Sequence, residues 1–403
     1  MTLRRRLRFE STDDTHRVTT LELFFDLVFV YALTQVTSLL AADPSWTGVA
    51  HAFVVLALLW FAWCSYAWLG NQAKADEGVV RAGLVVAMAA MFVVALSIVE
   101  AFDDIGGGWY GPLVLAIGIV VVRAVHLTVY AVAAGGDRAL LRQLGRTAVP
   151  VGIFAVLLVV GALLEPRWQL TAWAIALLVD YVGIYAGGVE GWRLYAARHF
   201  AERHGLIIII ALGESIVAIG VGAAELPVSG PLLAAVVLGL AVSIALWWTY
   251  FDVVAPVAER VLVAAQGQER ARLGRDSYTY LHFPMIAGIV LLAVGMKKVV
   301  EYVADSDHHD LTDPLTGIPL LCLYGGVVLY LLAHVAFRLR NVGSVNRPRV
   351  AVAALLVLLV PVAWQLPALA ALAVLTGVLT LLIAYESTRY AEARHAIRHA
   401  AHG

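Results

Sequence analysis

GLIIIIALGESIVAIGVG, residues 205–222, is an apolar run with one carboxylate, Glu214, near its middle. A run of this kind is a membrane-spanning helix. A carboxylate inside it costs a few kcal/mol or more unless it is paired, hydrated or protonated. Glu214 is therefore the first pointer to function. The rest of the chain has the same character: 61% of its 403 residues are hydrophobic and only 14% charged, with mean hydropathy +0.84. That excludes a soluble globular protein. The net charge of −1 comes without a basic patch, so no nucleic-acid partner is expected. Cys64 and Cys322 fall inside apolar runs, where thiols pack as small hydrophobes, and neither has metal-ligand spacing.

A hydrocarbon core of about 30 Å takes roughly 20 apolar residues per helix. Twelve runs qualify: 21–41, 49–69, 79–99, 111–134, 148–164, 169–188, 205–224, 231–251, 280–300, 316–337, 350–366 and 368–385. The last two meet at a short break at Gln365, Leu366 and Pro367 and are read as two spans, because one would be too long. The start, MTLRRRLRFE, resembles the basic region of a signal peptide. The run after it carries Glu22 and Asp26 and lacks a convincing cleavage site, so it reads as a retained helix. The fold expected is an all-α polytopic membrane protein of about twelve transmembrane helices.

Loop charge supports this count. Alternate segments carry Arg4, Arg5, Arg6, Arg8 and Arg17; Lys74 and Arg81; Arg138, Arg142 and Arg146; Arg193, Arg198 and Arg203; Arg260, Arg270, Arg272 and Arg275; Arg338, Arg340, Arg347 and Arg349; and Arg389, Arg394 and Arg398. The opposite loops hold only Arg167, with Lys297 and Lys298 near one span end. By the positive-inside rule both termini are cytoplasmic. The acidic outer loops hold Asp305, Asp307, His308, His309 and Asp310, read as solvated charge or as a weak cation site. Residues 255–277 read as a connector or as a helix lying on the inner leaflet.

The halves look duplicated. WCSYAW (63–68) resembles WWTYFD (247–252), Glu100 matches Glu301, and His126 matches His334. Asp26 in span one sits loosely where Glu214 does in span seven. Six spans return the chain to its starting side, so the repeats would be parallel: 1–188, then 189–386, then a basic tail 387–403.

Glu22 and Asp26 are four residues apart on one helix face, Asp26 deeper by roughly 6 Å. Asp180 lies near mid-depth of span six, and Arg123 near the middle of span four with His126 one turn away. A buried arginine needs a carboxylate partner, which makes Arg123 the counter-charge. Two readings stand: a static polar network tying helices together, or a network that changes protonation or binds a cation. Gly213, Gly220 and Gly222 flank Glu214 and permit close helix approach; Ser215 and Thr34 could add oxygen ligands. Trp60, Trp63, Tyr66, Trp247, Trp248 and Tyr250 read as an interfacial aromatic belt. No P-loop, HExxH or GxSxG motif is present and no catalytic residue, metal or cofactor is expected, which makes an enzyme the less favoured class. His395 and His399 sit in a tail read as a basic helix end on anionic lipid.

VTTLELFFDLVFVYAL (18–33) and ERHGLIIIIALGES (202–215) resemble the bacterial low temperature requirement A family, with both motifs in the expected order. The resemblance implies a bacterial cytoplasmic membrane protein linked by name to growth in the cold, and no defined activity, substrate or cofactor. Its characteristic positions are Glu22, Phe24, Phe25 and Asp26, and Glu202, Arg203, Gly205, Gly213, Glu214 and Ser215. Glu202 and Arg203 are expected at the cytoplasmic surface, pairing across to Arg17 or Glu22. The function expected is a secondary transporter or ion-conducting protein using Asp26, Glu214, Asp180, His126 and Glu22. The alternative is a non-transporting stress or structural protein. The partners expected are the lipid bilayer, a proton, cation or small molecule, and a second copy of the chain should the protein oligomerise.

Overall fold

Apolar runs between arginine-bearing loops fold here as helices, since a chain in hydrocarbon must satisfy every backbone polar group internally. The computed structural model describes residues 17–389 apart from 74, 76–77, 225–226 and 305–307. Arg4 to Arg8, Lys74, Asp305, Asp307 and the tail with Arg394, His395, Arg398 and His399 lie outside the described residues.

The α-helices, in chain order, are α1 (Thr20–Ala42), α2 (Trp46–Gln72), α3 (Gly78–Leu96), α4 (Gly111–Ala133), α5 (Arg138–Ala162), α6 (Pro166–Ala186), α7 (Ala197–Ala223), α8 (Gly230–Phe251), α9 (Val254–Ala264), α10 (Gly267–Leu273), α11 (His282–Ala304), α12 (Gly317–Val342), α13 (Arg347–Ala363) and α14 (Ala368–Arg389). A 3-10 turn, Ile98–Glu100, follows α3, and a π-helical stretch, Gly274–Tyr280, joins α10 to α11.

Among the described residues eleven helices are long and apolar enough to cross a membrane, which makes this a multi-pass helical membrane protein. The eleventh expected span, 350–366, is the exception. It forms α13, whose 17 residues rise only about 26 Å. The separation of the last two runs holds: α13 ends at Ala363, and Pro367 sits in an isolated antiparallel bridge with Pro314 before α14 begins.

Two compact units divide the chain. The first contains α1 to residue 39, α2 to α6, the first turns of α7 to Arg203, and Ala265–Arg275 with α10. Its α2 is buried on nearly all sides, as a helix apolar all round must be. This overturns the expected aromatic belt at one end: Trp60, Trp63 and Tyr66 are core side chains. The second unit contains α7 from His204, α8, α9 and α11 to α14. There Tyr250 is likewise buried, while Trp247 is exposed. The closest packing is α11 against α12: a Cβ on Gly295 would stand 2.6 Å from the backbone of Leu323, and one on Gly288 2.6 Å from the carbonyl of Gly326. Small residues let membrane helices approach to backbone contact. Segment 254–264 forms α9, whose residues Val254, Ala258 and Leu262 are buried, so this stripe faces protein rather than lipid.

Candidate functional site: a buried acid cluster

Thr19 and Glu22 form a capping box at the start of α1. The Glu22 amide donates to Thr19 Oγ1 at 3.3 Å, while Glu22 Oε2 accepts from the Thr19 amide at 2.9 Å and its hydroxyl at 3.0 Å. This T-x-x-E pattern satisfies helix-end donors reciprocally and fixes the Glu22 carboxylate in place. Arg203 Nη1 donates to Glu22 Oε1 at 2.9 Å and Nη2 to Asp26 Oδ1 at 2.7 Å, so one guanidinium spans both carboxylates. His199 Nε2 lies 3.1 Å from each Glu22 oxygen. Trp63 Nε1 donates to Asp26 Oδ1 at 2.8 Å, and the Arg203 guanidinium lies over the Trp63 ring at 5.5 Å. Asp26 Oδ2 is buried without a hydrogen-bond partner.

Each supporting element has a local cause. Glu22 and Asp26 are one turn apart on α1, and His199 and Arg203 one turn apart on α7, so two i, i+4 faces meet. Asn71 on α2 holds the segment leading into α7: its Oδ1 accepts from the Tyr195 amide at 2.7 Å and its Nδ2 donates to the Ala196 carbonyl at 2.6 Å. Gly70 leaves room for the acid, because a Cβ there would run into Glu22 Oε1. Glu22, Asp26, His199 and Arg203 are all at most 1% exposed. Two carboxylates and one guanidinium leave a charge of −1, and isolated buried charge is costly. One further positive charge makes the cluster neutral.

Glu22 and Asp26 of the 18–33 motif and Arg203 of the 202–215 motif thus meet in one cluster. Residues 17–384 match the family model of the bacterial low temperature requirement A protein, LtrA. The chain belongs to the LtrA family. A protein of Rhizobium meliloti (strain 1021), described as uncharacterized, is 30% identical over 332 residues, covering 79% of this chain and 78% of its own. No solved structure matches.

Within this LtrA-family chain the other predicted residues are distributed over separate clusters. Arg123 is committed to Asp180, donating from Nη2 to both carboxylate oxygens at 3.1 Å, and its Nη1 donates to Ser65 Oγ. It is no shared counter-charge: Arg203 serves Glu22 and Asp26. His126 is buried among Tyr66 and Tyr130, at ring distances of 5.6 and 5.5 Å. Glu214 is fully buried on the part of α7 that belongs to the second unit. Beside it, Ser215 Oγ donates to the Leu212 carbonyl at 2.7 Å and pairs with Ser243 Oγ at 2.8 Å. Thr34 Oγ1 donates to the Val30 carbonyl at 3.2 Å. A Cβ on Gly222 would touch Val300 and Lys297, whereas a Cβ on Gly213 or Gly220 would meet no heavy atom within 4 Å, so close approach holds only at Gly222.

Of the motif residues, Phe25 is buried and 5.0 Å from Tyr66, and Gly205 is buried too. Phe24 is 60% exposed and Glu202 is exposed. Arg203, expected in a surface segment ahead of span seven, lies inside α7, which begins eight residues earlier than the apolar run. His199 and Trp63 join the site without having been expected there. The signal for His199 is its helical spacing from Arg203 in ARHFAERH. In the loop between α11 and α12, His309 lies 3.7 Å from Asp313, the His309 ring stacks on Tyr302 at 3.8 Å, and Asp310 donates its amide to Asp313. Among the described residues no group of three or more His, Cys, Asp or Glu side chains is placed to hold a metal.

Proposed function

We propose that this LtrA-family protein is a proton- or cation-coupled secondary transporter or ion-conducting protein of the bacterial cytoplasmic membrane. The observation that carries it is the charge count at the acid cluster. Glu22 and Asp26 share a single arginine in full burial, and the missing positive charge is a proton or cation that can come and go. Asp26 Oδ2, buried without a hydrogen-bond partner, is the atom that would take it. Glu214 and Asp180, both buried at mid-helix, are further candidate carboxylates, with His126 beside the Arg123–Asp180 pair. The arginine distribution supports two cytoplasmic termini.

A two-repeat design supports alternating access. Tyr66 and His126 face each other in the first unit at 5.6 Å, and Tyr250 and His334 do so in the second, also at 5.6 Å. Both pairs come from the segments whose sequences suggest duplication.

The second reading, a non-transporting stress or structural protein, draws on the closed ion pairs. Arg123–Asp180 and Arg349–Glu386 are neutral, buried and bidentate, as expected of groups that tie helices together.

Reconstitution in vesicles with an internal pH dye separates the readings. Under an imposed pH or cation gradient the wild type should carry measurable flux, and Asp26→Asn should abolish it while keeping a cooperative melt. Equal flux from Asp26→Asn removes the cluster from the mechanism, and no flux from wild type under any gradient favours the structural reading.

A further inference from the structure

The charge count at Glu22 and Asp26 admits two kinds of occupant, a proton or a metal cation, and the two need different surroundings. A proton needs one acceptor atom. Ca²⁺ takes about 6–8 oxygen ligands and Mg²⁺ a near-octahedral set, and Na⁺ in membrane transporters is held by backbone carbonyls of unwound helices.

The groups around the two carboxylates are donors. Glu22 Oε1 accepts from Arg203 Nη1, Glu22 Oε2 accepts from the Thr19 amide and hydroxyl, and His199 Nε2 lies 3.1 Å from both. Asp26 Oδ1 accepts from Trp63 Nε1 at 2.8 Å and from Arg203 Nη2 at 2.7 Å. An indole and a guanidinium only donate, so neither can ligate a cation. The Thr19 hydroxyl oxygen is itself engaged, accepting from the Glu22 amide at 3.3 Å. One acceptor atom is left: Asp26 Oδ2, on a residue 1% exposed, is buried without a hydrogen-bond partner. The backbone adds none. Asp26 on α1, Trp63 on α2 and Arg203 on α7 each lie inside an unbroken helix, whose carbonyls are taken by the amides four residues on.

We infer that the ligand of this cluster is a proton, taken by Asp26 Oδ2, and that the surrounding N–H donors exclude alkali and alkaline-earth cations. The role of that proton rests on the transport reading above; its place rests on the donor set. The charged and titratable groups facing the two acids are Arg203 and His199 of α7, while α2 presents the Trp63 indole. A hydronium ion arriving at Asp26 gives its proton to Oδ2 and leaves as water, and the carboxylate becomes a neutral acid. Arg203 and Glu22 then stand one to one. The capping box with Thr19 fixes Glu22, so Asp26 is the acid whose hold on Arg203 weakens, and loss of the proton restores the double grip. A metal cation at the same oxygen would instead sit beside the guanidinium bonded to Oδ1, where like charges repel in low dielectric.

Infrared difference spectroscopy of the full-length protein in detergent reads the proton without any flux. As pH falls, wild type should gain a C=O band that deuterated solvent shifts only slowly, as for a carboxyl shielded from water. Asp26→Asn should lose this band. Should that variant fail to melt cooperatively, isotopic labelling of aspartate carboxyl carbons in wild type should shift the band, and labelling of glutamate should leave it in place. Exchange of choline for Na⁺, K⁺, Mg²⁺ or Ca²⁺ at constant ionic strength should leave its midpoint unchanged. A midpoint that moves with any of these cations would overturn the inference, while the transport reading would survive in its cation-coupled form. The inference also falls if no such band forms at any pH where the protein melts cooperatively, if the band follows labelled glutamate, or if it persists in Asp26→Asn. An Asp26 band indifferent to cations, in a protein that carries no flux in vesicles, would leave the proton site standing and remove the transport reading alone.

Discussion

At the scale of single residues the acid cluster is governed by charge count. Arg203→Met leaves Glu22 and Asp26 facing each other in full burial, and removing one partner of a buried pair costs about 3–5 kcal/mol. The double change Arg203→Met with Asp26→Asn removes one negative charge as well, so it should recover a clear part of that loss. Melting of the detergent-purified single and double variants measures it, and a double variant no more stable than Arg203→Met would show that charge balance is not what holds the site. Gly70→Ala tests the same packing from α2: its Cβ displaces Glu22 Oε1, so a drop of about 1–3 kcal/mol is expected, in the range for overpacking. Much of this site is legible in sequence. Glu22 and Asp26 stand out because a carboxylate in an apolar run must have a partner, and their spacing of four puts them on one face. The partner itself is not legible. Which arginine meets which acid depends on helix rotation, and the positive-inside rule gives Arg203 a side of the membrane but no direction. Trp63 misleads for the same reason: hydropathy gives depth along α2 but not that α2 is enclosed all round.

At the scale of elements, helix ends decide what the apolar runs leave open. Helix α7 begins at Ala197 because Asn71 supplies hydrogen bonds to the segment before it, and the sequence alone shows only the apolar onset at Gly205. Helix α5 is started by Asp137, whose Oδ1 accepts from the amides of Ala139 at 2.9 Å and Leu140 at 3.2 Å. The Leu140 amide, then that of Ala139, with Arg193 adding a smaller part, holds the Asp137 carboxyl below the usual carboxylate range. A depressed carboxyl contributes stability above its unfolded value of about 3.9, and loses it as pH falls through the lower folded value. Asp137→Ala should therefore cost about 1 kcal/mol near neutrality, and the difference from wild type should shrink as pH is taken below about 4. Melts across that range check both magnitude and sign; a constant difference would mean the cap acts through something other than its charge.

At the scale of the whole molecule, the parity of crossings depends on α13. Eleven helices are long and apolar enough to span among the described residues; an odd number would place the two ends of the chain on opposite sides, and an α13 that crosses restores an even number. Its 17 residues rise about 26 Å, short of an average hydrocarbon core by about 4 Å, and local thinning meets such a shortfall at a fraction of a kcal/mol per Å. Charge favours crossing. Arg338, Arg340, Arg347 and Arg349 gather before or at the start of α13, the turn 364–367 has no Lys or Arg, and Arg389 follows at the end of α14. That alternation is what the positive-inside rule requires of two successive spans. The expected outcome is a fluorescent C-terminal green fluorescent protein fusion and an alkaline phosphatase fusion that is active only when inserted in the turn at 364–367. Bright fluorescence with an inactive turn fusion would mean that α13 and α14 do not form a membrane-crossing hairpin. A dark C-terminal fusion with active phosphatase at the same point would put the C-terminus outside and leave α13 on one face. Either result would also remove the six-plus-six arrangement on which a rocking mechanism of the two halves depends, because parallel repeats need an even number of crossings in each.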